Sequence, residues 1–301
     1  MVKSLVTGAA GFIGSNLVDY LLDHGHNEII AVDNETANND KFYWNKDKRV
    51  KNVKANISKY KEMRDLFDGV DYVFHLAEES RLQPAIENPI NAVKQNCVGT
   101  TVVLQCAREA GVKRVVYSST SSGYGRNPWP NHELQDDDCL NPYSASKVAG
   151  EKFCKMYSDL YGLETISLRY FNVFGERSPT VGQYAPVIGI FQRQAESGDA
   201  LTIVGDGSQR RDFVHVKDVA RANYLAAIIP IYSMFGHVFN VGSGKNYSIQ
   251  EIANAISDNQ VYLPERPGEA TTTLADISRI GDIIGWKPEI DVMDWIYDQR
   301  Q

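Results

Sequence analysis

The sequence predicts an α/β protein, with a doubly wound parallel sheet covered by helices on both faces and a smaller α/β lobe beside it. Three observations predict this. Short β-rich runs alternate with helical patterns through the first two-thirds of the chain. A glycine triplet sits at the first strand-to-helix turn. After about Gly175 the alternation gives way to loops, short helices and isolated strands.

The predicted strands are Val2–Thr7, Glu28–Val32, Val50–Ala55, Tyr72–His75, Arg114–Ser118 and Thr165–Arg169, rich in valine and isoleucine and closed by glycine or polar residues. Ile13, Leu17, Val18, Leu21 and Leu22 recur at helical spacing and mark a helix with one buried face. Longer helices are expected over Pro89–Gly111 and Tyr143–Tyr161. In the irregular part, Glu176–Tyr184 reads as a loop, Pro186–Ser197 as a helix, Gly205–Ser208 as a turn and Gln260–Leu263 as a strand. Ser248 and Glu251 form a helix-capping box, Arg266-Pro267-Gly268 reads as a turn, and a last helix begins near Asp276. Together these place the sheet domain in residues 1–172 and about 214–242, and the second lobe in about 173–213 and 243–301.

With 301 residues, 43% of them hydrophobic, the chain can bury a large core, as one α/β unit or two compact ones. A net charge of −7 argues against nucleic acid as a partner. The four cysteines form no CxxC pair and the six histidines no HExxH or HxxxH pair, so the expectation is free thiols, a reducing compartment and no metal site. His24 and His26 flank Gly25 and read as turn residues. A core strand begins almost at the first residue, which argues against a signal peptide, and no run of 18 apolar residues offers a membrane span. A cytoplasmic protein is expected.

Thr7-Gly8-Ala9-Ala10-Gly11-Phe12-Ile13-Gly14 follows the first strand. Glycines at 8, 11 and 14 allow a tight turn and close approach of a pyrophosphate, and the following helix directs its positive end at that anion. Asp33 ends the second strand about 20 residues beyond, where a carboxylate binds ribose hydroxyls and repels the extra phosphate of NADP. NAD is therefore the expected cofactor, on a Rossmann-type sheet.

Tyr143 and Lys147 lie four residues apart and share a helical face. A phenol titrates near ~10 and is a poor base at neutrality, but a nearby ammonium and a positive nicotinamide favour the phenolate. Tyr143 can then accept the proton of an alcohol as hydride leaves the same carbon. The run Tyr117-Ser118-Ser119-Thr120-Ser121-Ser122 ends a strand at the edge where open α/β sheets bind ligands.

The GxxGxxG spacing, the Tyr143/Lys147 pair and the serine-rich strand end resemble the extended short-chain dehydrogenase/reductases along nearly the whole chain. The resemblance implies that Thr120 binds the reacting oxygen, and that Lys147 both tunes Tyr143 and grips the nicotinamide ribose. It extends the cofactor set to Phe12, Ile13, Asn34, Asn56, Ile57, Leu76, Ala77, Ser118 and Tyr170, and to Asn96, which helps hold the active-site backbone. Two positions depart from the family: Asn56-Ile57 stands where Asp-Ile is usual, and Glu78-Glu79 follow His75-Leu76-Ala77 where small residues are common. The sequence offers no role for these two acids.

In related 4,6-dehydratases an Asp and a Glu follow the threonine, and decarboxylases keep the Glu. Here Ser121 and Ser122 stand there and cannot exchange protons as carboxyls do, which disfavours elimination. The resemblance is closer to the UDP-sugar 4-epimerases. It implies Ser121 and Asn172 (in Leu168–Gly175), Arg211 (in Gly205–Phe213), and Arg266 and Glu269 (in Arg266-Pro267-Gly268-Glu269) as substrate ligands, with the two guanidiniums on the diphosphate. The implied reaction oxidises sugar carbon 4, rotates the sugar and returns the hydride to its other face.

Thr273 aligns with the position that limits sugar size, and the loop Glu176–Pro186 is similar to the N-acetylhexosamine-active branch. UDP-N-acetylglucosamine and UDP-N-acetylgalactosamine are the expected substrates, along with UDP-glucose and UDP-galactose. The alternatives are another epimerase (of UDP-glucuronate), a sugar-nucleotide reductase, or an inactive dinucleotide-binding regulator. The resemblance also implies a homodimer built on the helices Pro89–Gly111 and Tyr143–Tyr161, with Val98, Val102, Val103 and Cys106 either at that interface or facing the sheet.

Overall fold

In the computed structural model, residues 2–36, 41–80, 82–181, 185–230, 235–264 and 270–299 are described. Strands β1 (Val2–Thr7), β2 (His26–Asp33), β3 (Val50–Lys54), β4 (Tyr72–His75), β5 (Arg114–Thr120) and β6 (Glu164–Tyr170) occupy the first part of the chain. Beyond them come β7 (Asn172–Phe174), β8 (Leu201–Val204), β9 (Arg210–His215), β10 (His237–Val241), β11 (Asn246–Ser248) and β12 (Gln260–Leu263).

Seven of these form one parallel sheet in the order β10-β6-β5-β4-β1-β2-β3. The chain winds one way from β1 to β3 and then reverses, so β1 lies between β2 and β4. At such a reversal the connections leave in opposite directions and open a crevice at the carboxyl ends of the strands. Alternate residues serve opposite faces. Val6, Phe74 and Val116 pack against the helices Phe12–Asp23 and Val216–Ile228. Leu5, Val73 and Val115 pack against the helices Thr100–Glu109 and Pro142–Tyr161.

A second group of elements stands over that carboxyl edge. Strands β11, β9 and β7 form a three-stranded sheet and β12 pairs with β8. Their apolar side chains, including Phe174, Phe191, Ile203, Phe213 and Ile252, form a separate core with the helices Val187–Glu196, Ile249–Ile256 and Val292–Asp298. The box of Ser248 and Glu251 caps the middle one as expected.

Three expectations need correction. The helix expected over Pro89–Gly111 forms without a break from Pro89 to Glu109, but it is not α-helical throughout: Pro89–Val93 and Thr100–Glu109 are α-helical and Lys94–Gly99 is a π-helical turn. Such turns shift side chains out of the α-helical phase and are frequent at functional sites. His24 lies in the turn as expected, but His26 belongs to β2, with its ring buried and 2.6 Å from Ser4 Oγ, because the turn is completed at Gly25 with φ +87°. The expected stripe also divides: Val103 and Cys106 face the sheet core, whereas Val98 is half exposed. No helix among the described residues is long and apolar enough to cross a membrane.

Candidate active site

One cleft of about 840 Å³ runs along the crevice, from Gly8 and Asp33 at one end to Arg211 and Thr273 at the other. Its floor at the first end is the glycine loop. Gly8 has φ +69°, and a Cβ there would lie 2.8 Å from Ala77 N. A Cβ on Gly14 would strike the Gly8 carbonyl at 2.1 Å. Only glycine permits this loop to lie so close to β4, and Gly11 begins the helix Phe12–Asp23 without a side-chain cap. The leading N–H groups of that helix thus have no side chain competing for an anion.

Asp33 joins this end. Its Oδ2 accepts from Ala10 N at 3.1 Å and its Oδ1 from Glu35 N at 2.8 Å, while burial pushes its carboxyl above the usual range. Asn34 and Asn56 also line the cleft, and each spends its Oδ1 on the chain two residues ahead, Thr36 and Ser58 respectively. The wall continues through Phe12, Ile13, Ile57, Leu76, Ala77, Ser118 and Tyr170. Tyr170 Oη donates to Asn223 Oδ1 at 2.9 Å, which anchors the ring at the cleft wall.

The turn after β4 is built on a buried histidine. Thr7 Oγ1 accepts from Leu76 N and Ala77 N, both at 3.1 Å, which leaves its proton for His75 Nδ1 at 2.8 Å. His75 Nε2 then donates to Thr100 Oγ1 at 3.0 Å. This arrangement requires the neutral ring, and burial, helped by the Lys147 ammonium, pushes its pKa down to about 3.

Thr120, Ser121 and Tyr143 line the middle of the cleft, brought together from the end of β5 and the start of the helix Pro142–Tyr161. Asn141 and Ser144 cap that helix reciprocally, fixing the turn that carries Tyr143. Thr120 Oγ1 accepts from Ser122 N at 3.1 Å.

Lys147 does not line the cleft. Its side chain is 1% exposed, its ammonium lies 4.4 Å from the Tyr117 ring centroid, and its ion-pair partner is Glu78 Oε2 at 2.5 Å. The other Glu78 oxygen is 3.5 Å from Tyr143 Oη. Glu78, to which the sequence assigned nothing, therefore stands between the two expected catalytic groups. Asn96 is also outside the cleft wall and works from behind: its amide joins the Glu79 main chain to Ser146.

At the far end, Arg211 Nη1 donates to the carbonyls of Arg210 and Thr271, and Thr273 Oγ1 accepts from Asp212 N at 3.3 Å. Asn172 lines the cleft while its Nδ2 donates to the Asp212 carbonyl at 3.0 Å. Arg266, Glu269 and the loop residues Gly182-Gln183-Tyr184 lie outside the described residues. Asp212, which the sequence motif contained without a role, organises this end. Its buried carboxylate accepts from Ser243 N and Oγ, Gly244 N and Ala275 N, and burial pushes its pKa up to about 6.

Residues 4–242 match the NAD dependent epimerase/dehydratase family. The chain belongs to that family. A putative UDP-glucose 4-epimerase of Methanocaldococcus jannaschii is 36% identical, over 97% of this chain and 95% of its own length. The solved UDP-N-acetylglucosamine 4-epimerase of Methanobrevibacter ruminantium, in complex with UDP-N-acetylmuramic acid, superposes with a TM-score of 0.89 at 33% identity, over 99% of both chains. The Thermotoga maritima UDP-glucose 4-epimerase, solved with UDP-glucose, gives 0.91 at 31% identity, over 98% of this chain and 96% of that one. The fold, the NAD cofactor and the isomerase class read from the motifs agree with this membership.

Proposed function

We propose that this chain is a UDP-sugar 4-epimerase and that UDP-N-acetylhexosamines are among its substrates, along with UDP-glucose and UDP-galactose. The observation that carries the reading is one cleft with Tyr143 and Thr120 at its middle, no carboxylate at Ser121 or Ser122, and a guanidinium at its far end. In this reading the glycine loop, Asp33 and the wall from Asn56 to Ala77 hold NAD, which supplies the hydride acceptor and donor.

Tyr143 takes the proton of the sugar hydroxyl and later returns it, while Thr120 orients the reacting oxygen by a hydrogen bond. Asn172, Arg211, Arg266 and Glu269 hold the nucleotide and diphosphate. The sugar is left loosely bound, as presentation of both faces requires. Thr273 presents a small side chain where a bulky ring would shorten the cleft, which supports the larger N-acetylated sugars. Incubation with UDP-GlcNAc, UDP-Glc and UDP-glucuronate, with products resolved by chromatography and NAD assayed before and after, tests this. Interconversion of UDP-GlcNAc with UDP-GalNAc and no net loss of NAD is expected. Activity on plain hexoses alone would defeat the N-acetylhexosamine assignment, and stoichiometric NAD consumption would favour a reductase.

The seven-stranded sheet is the cofactor-binding part in this scheme, with residues 173–213 and 243–301 forming the substrate lobe. A homodimer is proposed on the outward faces of the paired helices, where Ile90 is 81% exposed, Leu160 is 66% exposed, and Val93 and Val98 are half exposed. Light scattering on the purified chain reads this directly. Four free thiols support a cytoplasmic location.

A further inference from the structure

We propose that Glu78 is a positioning residue for proton transfer, holding the Lys147 ammonium with one carboxylate oxygen while the other faces the Tyr143 hydroxyl. The proposal rests on the reading of Tyr143 as the base.

The pairing has two consequences that oppose each other. Lys147 is 1% exposed, and a buried ammonium without a counter-charge is costly, so Glu78 stabilises it in place. Glu78 Oε2 is fully buried and makes no directed hydrogen bond among the described residues, so the ion pair is its main compensation. Yet the same carboxylate lies 3.5 Å from Tyr143 Oη, where a negative charge disfavours a second one on the phenol. A lysine facing a small residue would lend Tyr143 its whole charge; here it is shared.

Among the described residues, the other titratable groups around this pair are held by burial or by partners of their own. Burial raises the Tyr117 phenol of β5 well above its ordinary value and raises that of Tyr170 on β6, and Glu78 adds to both. Cys97, on the π-helical turn, is raised by burial with Lys147 opposing, and His75 on β4 is held neutral. Glu151, one helical turn beyond Lys147, is bound by Arg169 through two hydrogen bonds. Glu79, on the same segment as Glu78, accepts from Asn91 Nδ2 at 2.5 Å. Among the described residues, Glu78 and Lys147 are an ion pair beside Tyr143.

The test is the pH dependence of kcat/KM for UDP-sugar interconversion in the full-length, NAD-loaded protein. Glu78→Gln keeps the shape and removes the charge, and should move the acid limb down by about one pH unit. Glu78→Ala repeats the loss of charge with a different shape and should move it the same way. Glu78→Asp keeps the charge and should leave the limb near the wild-type position.

A readout independent of turnover is the 13Cζ resonance of Tyr143 in tyrosine-labelled protein, assigned by its loss in Tyr143→Phe and followed over pH. It should titrate lower in the uncharged variants by the same amount. An unchanged or upward-moving titration in a folded uncharged variant would overturn the proposal. If the wild type interconverts no UDP-sugar, the epimerase reading fails while the resonance still decides the role of Glu78.

Discussion

Asn96 grips the main chain of Glu79 from both sides, accepting from its N–H at 2.7 Å and donating to its carbonyl at 3.2 Å. The same amide donates to Ser146 Oγ at 2.9 Å, so one side chain ties the turn carrying Glu78 to the helix carrying Lys147. Asn96→Ala strands a partly buried N–H and C=O and should cost about 1–3 kcal/mol in denaturant unfolding. It should also lower kcat more than it raises KM, because it loosens the centre and not the nucleotide end. Steady-state kinetics beside urea titration checks both.

Tyr143→Phe removes the proposed proton acceptor without disturbing the glycine loop. Interconversion should fall about 10²–10⁴-fold with NAD affinity retained. Equilibrium binding of NAD to the variant separates loss of chemistry from loss of fold. Undiminished turnover in a folded sample would end the proposed mechanism.

His75 gives the fold a pH dependence of known sign. Its folded pKa, pushed down to about 3, lies below its ordinary value of 6.5, so the unfolded chain binds a proton that the folded one refuses. The stability it contributes is complete above pH ~6.5 and is lost progressively as pH falls towards 3, by about 1.4 kcal/mol per unit. His75→Gln should show a shallower fall in unfolding free energy between pH 6 and 4, by about one proton equivalent. An unchanged slope would mean that the ring is not held neutral.

Glu151 and Arg169 form a buried ion pair behind the cleft, with Nε to Oε1 at 2.8 Å and Nη2 to Oε2 at 2.7 Å. Ser119 Oγ adds a hydrogen bond from β5, so the pair pins the helix of Tyr143 to both β5 and β6. Glu151→Ala leaves a guanidinium buried with only Asp137 for a counter-ion among the described residues, and should cost about 3–5 kcal/mol. The shift in urea midpoint measures it.

What the sequence disclosed is what short-range spacing can carry. The glycine triplet and the Ser248/Glu251 cap each lie within one turn or loop and form as local units, and Tyr143 and Lys147 share the helix Pro142–Tyr161, with Glu78 between their polar ends. The π-helical turn escaped because one extra residue in a helical ladder leaves the apolar rhythm on either side nearly intact. Glu78 on Lys147, and Glu79 as the partner of the backbone-holding Asn96, escaped for another reason: they join segments that meet only once β4 and β5 are side by side. Local spacing holds no record of such meetings. The carboxylates after Ala77 were visible as an oddity, and the sheet supplies their counterpart.

The return of the chain to β10, at the edge of the large sheet beside β6, has a consequence for dissection of the molecule. Residues 172–215 build one array of strands, 237–241 complete another, and 246–263 go back to the first. No single scissor cut of the polypeptide releases either array whole. Fragments severed near residue 172 should be insoluble alone and regain structure only when mixed, and heating the intact chain should melt both arrays in a single transition.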